Sequence, residues 1–163
     1  MAKKARPVPK GSRTVTPFLV VHDATQAIEF YKKAFGGEEI RRSPGPGGKL
    51  MHAEVKIGDS IVCLSDEFPE MGGPSASPKT LGKATGSLYL YVKDADQVFQ
   101  QAVDAGATVV MPLMDAFWGD RYGMVCDPFG HLWAIATHKQ DLTPEEAEKA
   151  REAALAQMSS PQQ

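Results

Sequence analysis

Residues 87–112 read SLYLYVKDADQVFQQAVDAGATVVMP, and the order of elements written there decides the fold. Ser87 to Tyr91 alternates in the period of a strand. Asp94 or Asp96 then offers a helix N-cap, and Val98, Phe99, Ala102 and Val103 recur at helical spacing until Gly106 ends the run. A second strand, ATVVMPLM (107–114), follows, then the loop DAFWGDR (115–121) and the apolar hairpin YGMVCDPFGHLWAIATH (122–138). Toward the N-terminus the same order occurs once before. Thr14 to Val21 reads as a strand, with Pro17 hinting at an edge or bulge. Asp23 caps a helix whose apolar face is Ala27, Ile28, Tyr31 and Phe35, ended by Gly36-Gly37. A short strand (Glu38–Arg42), the turn SPGPGG (43–48) and the hairpin LMHAEVKIGDSIVCLSD (50–66) complete the unit.

Strand, helix, strand, hairpin therefore occurs twice, about 70 residues apart, which is the signature of a duplicated supersecondary unit. The expected fold class is α+β: two βαβββ modules, about 14–70 and 87–138, within a domain spanning 14–138. A long loop rich in Pro, Gly, Ser and Lys (66–86) links the modules. Residues 1–13, with Lys3, Lys4, Arg6 and Lys10 set among Pro and Gly, read as a disordered tail. Thr143-Pro144-Glu145-Glu146 opens a C-terminal helix, expected over 142–158, with proline in its first turn and acidic side chains against the dipole.

The chain's 163 residues suit one ordinary domain, and its 42% hydrophobic content is enough for a packed core. A net charge of −2 provides no broad field to attract nucleic acid or an anionic membrane, so neither is expected as a partner. No apolar stretch approaches the roughly 20 residues of a membrane span, and no secretory core precedes the first strand. Cys63 and Cys126 lie far apart in apolar runs, where a buried free thiol is the default, and the expected address is cytoplasmic.

Four segments together, TPFLVVHDATQAIEFYKKAFG (16–36), MHAEVKIGDSIVCLSDEFPE (51–70), SLYLYVKDADQVFQQAVDAGATVVMP (87–112) and FWGDRYGMVCDPFGHLWAIATH (117–138), carry a resemblance. The chain resembles the vicinal-oxygen-chelate superfamily of glyoxalases, bleomycin resistance proteins and extradiol dioxygenases, in its PhnB-like branch. The resemblance implies two βαβββ units forming one open curved mixed sheet (the glyoxalase/bleomycin-resistance fold), a cup for a small molecule, and a homodimer. Metal-dependent members place four His or Glu ligands on the first and fourth strands of each unit. Matching that pattern to this sequence gives Thr16, Cys63, Ser87 and Ala134. Only Cys63 is a good donor, and one thiol is not a metal site. No metal and no other cofactor is expected at those positions.

Other side chains on the strands suggest what faces the cup. With Gly58-Asp59 as a two-residue turn, Glu54 falls opposite Cys63 and His52 opposite Ser65, and these four share one face while Met51, Ala53, Val55 and Ile57 pack inward. His52 and Glu54 are the candidate catalytic pair, an imidazole and a carboxylate suited to acid–base work. A displaced metal site of His52, Glu54 and Cys63, and a merely solvated strand face, stand as alternatives. Tyr89 and Tyr91 share a face with Ser87 and are candidates to stack on a flat ligand, or else fill the core. Trp118 and Arg121 suit a planar or anionic ligand. If the last hairpin turns through Asp127–Gly130, Arg121 lies opposite Ala136, at the cup. The alternative is that Trp118 plugs the mouth and Arg121 forms a structural ion pair. His131 is read as tying down the DPFGH turn, and His22 and His138 as surface residues.

Two function classes follow, and a third, a structural or interaction protein without a ligand, rests on the C-terminal helix alone. One is a binding protein that sequesters a small planar or anionic compound through Cys63, Tyr89, Tyr91, Trp118 and Arg121. The other is an isomerase or lyase using His52 and Glu54, with or without a relocated divalent metal.

Overall fold

A computed structural model describes residues 5–73 and 75–158. The first module runs β1 (Phe18–Val21), α1 (Ala24–Phe35), β2 (Glu38–Pro44), β3 (Leu50–Ile57) and β4 (Ser60–Asp66). A short helix, α2 (Pro78–Leu81), interrupts the linker. The second module runs β5 (Ser87–Tyr91), α3 (Ala95–Asp104), β6 (Thr108–Asp115), β7 (Asp120–Cys126) and β8 (Leu132–His138), and α4 (Pro144–Met158) follows. The α+β class, the two βαβββ modules and the terminal helix are as the sequence predicts. The strands hydrogen-bond as two ladders of four, β1-β4-β3-β2 and β5-β8-β7-β6.

Local chemistry explains these elements. Asp23 and Asp94 cap α1 and α3, accepting hydrogen bonds from the backbone N–H groups of Gln26 and Gln97. The chain leaves α1 through Gly36 in the left-handed region (φ 64°), where a side chain would be strained. A second device repeats between the modules. Buried Asp66 accepts from the N–H of Ala24 and of Leu50, joining the start of α1 to β3. Thr137 does the equivalent for α3, accepting from Ala95 N–H and donating to the Val92 carbonyl.

One boundary and two burials differ from expectation. The first strand begins at Phe18 rather than Thr14, because Pro17 has no N–H for the ladder; its carbonyl still accepts from Cys63 N–H. Met51 is half exposed, not packed inward, because a register shift between Ser43 and Pro44 turns it out of the alternation and Leu50 is buried instead. Both cysteines are free and half-buried rather than fully buried.

Each sheet lays one face on its helix, and α1 and α3 lie against one another, with Gln101 Nε2 donating to the Lys33 carbonyl. One apolar core thus draws on both modules, including Val21, Ile28, Leu64, Phe99, Trp133 and Ile135. The DPFGH turn ties them further. Asp127, 3% exposed, accepts from the N–H of Phe129 and of His131 on one oxygen. On the other it accepts from the Tyr31 hydroxyl of the first module and the Trp133 indole. Burial, then Asp127, push the Tyr31 phenol upward, so it stays a donor. The His131 ring lies 2.9 Å from the Val20 carbonyl, on the edge strand of the other module. His131 therefore clasps the two modules as well as shaping its own turn. Residues 5–13 form no helix or strand, and Arg13 reaches Asp59. None of the described residues of α4 is buried.

Candidate functional site

The face of each sheet turned away from its helix carries the chemistry. On the first sheet β3 and β4 pair Glu54 with Cys63, as the two-residue turn predicts, and His52 lies two residues along the same face. His52 Nε2 is 3.1 Å from Glu54 Oε1, and Arg41 of β2 donates to the same oxygen at 2.6 Å. Burial pushes the Glu54 carboxyl up, but hydrogen bonds and charge from Arg41 and His52 outweigh it and hold it low. Burial, and then the charge of Glu54, push the Cys63 thiol up.

The second sheet presents an aromatic surface. Tyr89 and Tyr91 stand 46% and 61% exposed, so neither fills the core. Their rings are 4.9 Å apart; Tyr122 adjoins Tyr89 at 5.7 Å and Trp118 at 5.2 Å. Beneath them lies Asp120, only 3% exposed. One of its carboxylate oxygens accepts from the Tyr89 hydroxyl, the Tyr91 hydroxyl and the Trp118 indole, at 3.0–3.1 Å. The other faces His138 Nδ1 at 2.8 Å, and His138 Nε2 meets Asp141 at 2.9 Å. Burial raises the Asp120 carboxyl, but these four partners reverse the direction and keep it charged. Burial and the bond to Asp120 push both phenols up, so the tyrosines remain donors. His138 is pushed up by its bonds to Asp120 and then Asp141. The Trp118 turn is pinned behind: the Gly119 carbonyl accepts from Lys139 and Gln140, and a Cβ on Gly119 (φ 98°) would lie 2.4 Å from the Gln140 oxygen.

Sequence reasoning missed Asp120 and His138 as site residues, and of its two readings of Arg121 the structural ion pair is the one found. The β7–β8 connection spans five residues, because Asp127 folds His131 into the turn. The register is thereby offset by one: Arg121 pairs with Thr137, Tyr122 takes the place opposite Ala136, and Asp120 falls opposite His138. Arg121 accordingly points to the other face, where it binds Asp96 at 2.8 Å and Asp115 at 3.5 Å. It does not meet the tyrosines. His138 is exposed at a strand end, as expected, but it is also held between the carboxylates of Asp120 and Asp141.

A cleft of about 790 Å³ opens between the modules, within the range of small-molecule sites. Val15 and Ile61 line one side and Ser87, Tyr89 and Tyr91 the other, with Arg13 among the lining residues. His52, Glu54 and Cys63 are not among its walls. The four positions that carry metal ligands in related chelating proteins do not fit a metal here. Among Thr16, Cys63, Ser87 and Ala134 only Cys63 is a good donor; the carboxylate opposite it, Glu54, belongs to β3 and not to that set, and Ser87 and Ala134 stand opposite Leu132 and Tyr89.

Comparison with known proteins agrees with this architecture. The profile of the Glyoxalase/Bleomycin resistance protein/Dioxygenase superfamily matches residues 13–135. An uncharacterised protein of Mycobacterium tuberculosis strain H37Rv is 47% identical over 137 residues, covering 83% of this chain and 81% of its own. The crystal structure of TioX from Micromonospora sp. ML1 superposes with a TM-score of 0.60 at 30% identity, over 78% of this chain and 99% of that one. The PhnB protein from Bacillus cereus, at 20% identity and a TM-score of 0.60 over 77% of this chain and 99% of its own, shares the fold. The chain belongs to the glyoxalase/bleomycin resistance protein/dioxygenase superfamily.

Proposed function

We propose that this protein binds a small planar compound against Tyr89 and Tyr91 and holds it without transforming it. The observation that carries this reading is the convergence of Tyr89, Tyr91 and Trp118 on one oxygen of buried Asp120. Rings fixed in this way lose little freedom when a flat ligand stacks on them, which favours affinity. With Arg121 committed to Asp96 and Asp115, and Arg13 at the cleft already paired with Asp59, a neutral or positively charged ring system suits the carboxylate-backed surface better than an anion. The test is titration with neutral, cationic and anionic planar compounds, followed by calorimetry and by tryptophan emission. Saturable binding of a neutral or cationic compound, weakened at least tenfold by Trp118→Ala (about 1.4 kcal/mol), is the expected result. Binding confined to anions, or indifferent to Trp118→Ala, would sink the reading.

A second reading, proton transfer by His52 and Glu54, rests on their 3.1 Å contact. The Arg41 guanidinium on the same oxygen makes Glu54 a poorer base, so this reading is the weaker.

The proposal includes a homodimer and a cytoplasmic address. Large apolar side chains exposed on both sheets, among them Phe18, Ile40, Val110 and Met111, suit a second copy as cover. Sedimentation equilibrium should give twice the mass of the chain; a monomer at micromolar concentration would overturn this part. Two free thiols suit a reducing compartment.

A further inference from the structure

The three groups on the first sheet are of different chemical kinds, yet they converge. One donor atom from each of His52, Glu54 and Cys63 lies within 4.8 Å of the other two, and His52 Nε2 and Glu54 Oε1 are 3.1 Å apart. We infer that His52, Glu54 and Cys63 form a three-ligand site for a borderline-soft divalent cation, zinc or its neighbours cobalt and nickel. Bonds of about 2.0–2.3 Å to N, O and S place tetrahedral ligand atoms about 3.3–3.6 Å from one another. The observed spacings bracket that value, so side-chain rotation alone closes the site and no strand has to move.

The backbone is preorganised for it. Glu54 and Cys63 are direct partners across the β3–β4 ladder, and His52 follows on the same face, so a single hairpin supplies all three ligands. The Phe18 ring, 5.8 Å from the imidazole, bounds its swing. All three side chains are half-buried, which leaves a fourth vertex open to water or a small ligand. Neutral imidazole, carboxylate and thiolate carry two negative charges between them and balance the ion. The mixture of sulfur and nitrogen selects zinc-like ions over magnesium or calcium. Arg41 is the competitor, holding Glu54 Oε1 at 2.6 Å. Its side chain is largely exposed and free to take the second carboxylate oxygen, becoming the group that orients the ligand. The ion replaces the Cys63 proton, so binding releases one proton to solvent.

Cobalt(II) reports on such a site directly. The full chain, reduced and stripped of metal with a chelator, is titrated with cobalt(II) and followed by absorption. One equivalent should bind, giving a thiolate-to-cobalt charge-transfer band and the visible bands of a four-coordinate ion, and zinc should displace it. Cys63→Ser should abolish the charge-transfer band while Cys126→Ser keeps it. His52→Ala and Glu54→Gln should each cost more than the roughly 10–100-fold lost when a mere orienting group is removed. Thermal melting of each apo variant confirms that it is folded. Absence of saturable uptake, or a charge-transfer band that survives Cys63→Ser, would overturn the proposal. Either failure leaves the planar-ligand reading standing, since none of the three residues lines that cleft.

Discussion

Asp127→Ala should be the most destabilising single substitution in the second module, costing about 3–5 kcal/mol and lowering the melting temperature by about 10 °C. Four hydrogen-bond donors converge on that carboxylate, and two of them, the Tyr31 hydroxyl and the Trp133 indole, lie on side chains that are almost fully buried. Each buried donor left without a partner costs about 1–3 kcal/mol, and relaxation keeps the total below the simple sum. Such a loss is a large fraction of the roughly 5–15 kcal/mol that holds a domain folded. Asp127→Asn discriminates the causes. Its remaining carbonyl oxygen still accepts from the turn amides, but its amide nitrogen confronts the Trp133 N–H, donor against donor. Its melting point should fall between those of the wild type and Asp127→Ala. Equal melting points for all three proteins would show that this network contributes nothing.

Asp120→Ala should have the largest effect on ligand binding, with little change in the far-ultraviolet spectrum. It releases Tyr89, Tyr91 and Trp118 together, so the ring surface becomes mobile and affinity should fall by about 30-fold or more, the loss expected at a binding hot spot. Asp120 is here a positioning residue, and pH gives a readout that a merely structural role would not move. His138 is pushed up by its two carboxylate partners, so its contact with Asp120 is fully made below its ordinary value of 6.5 and is lost as pH rises through the raised folded value. Trp118 emission and affinity should therefore change together above pH 6.5, and His138→Gln should remove that transition. A flat profile in the wild type, or affinity unchanged in Asp120→Ala, would show that the carboxylate does not organise the rings.

Most of the fold could be read from the chain because local chemistry settles it. Asp23 names the start of α1 and the Asp94–Asp96 pair that of α3, and the Gly58-Asp59 turn fixes the β3–β4 register, so the shared face of His52, Glu54 and Cys63 follows from counting alone. The second site was not legible in the same way. Its register depends on whether His131 belongs to the turn or to the strand, and an Asp127 side chain decides that by taking the His131 N–H. A slip of one residue exchanges the two faces of a strand, which is why Arg121 and not Tyr122 appeared to face the ligand. With the five-residue turn in place, Asp120 opposite His138 follows at once. The triple convergence on Asp120 requires the Trp118 turn as well, and no periodicity announces it.

The bond between Tyr31 and Asp127 also has a history in time. Its partners are 96 residues apart, so at about 5–20 residues per second the ribosome needs about 5–20 s to make the second after the first. During that interval the first module has emerged with the side of α1 that will meet Trp133 and Phe129 still uncovered. The nascent half is thus sticky until its twin arrives, and docking of the halves, rather than formation of either, completes the protein.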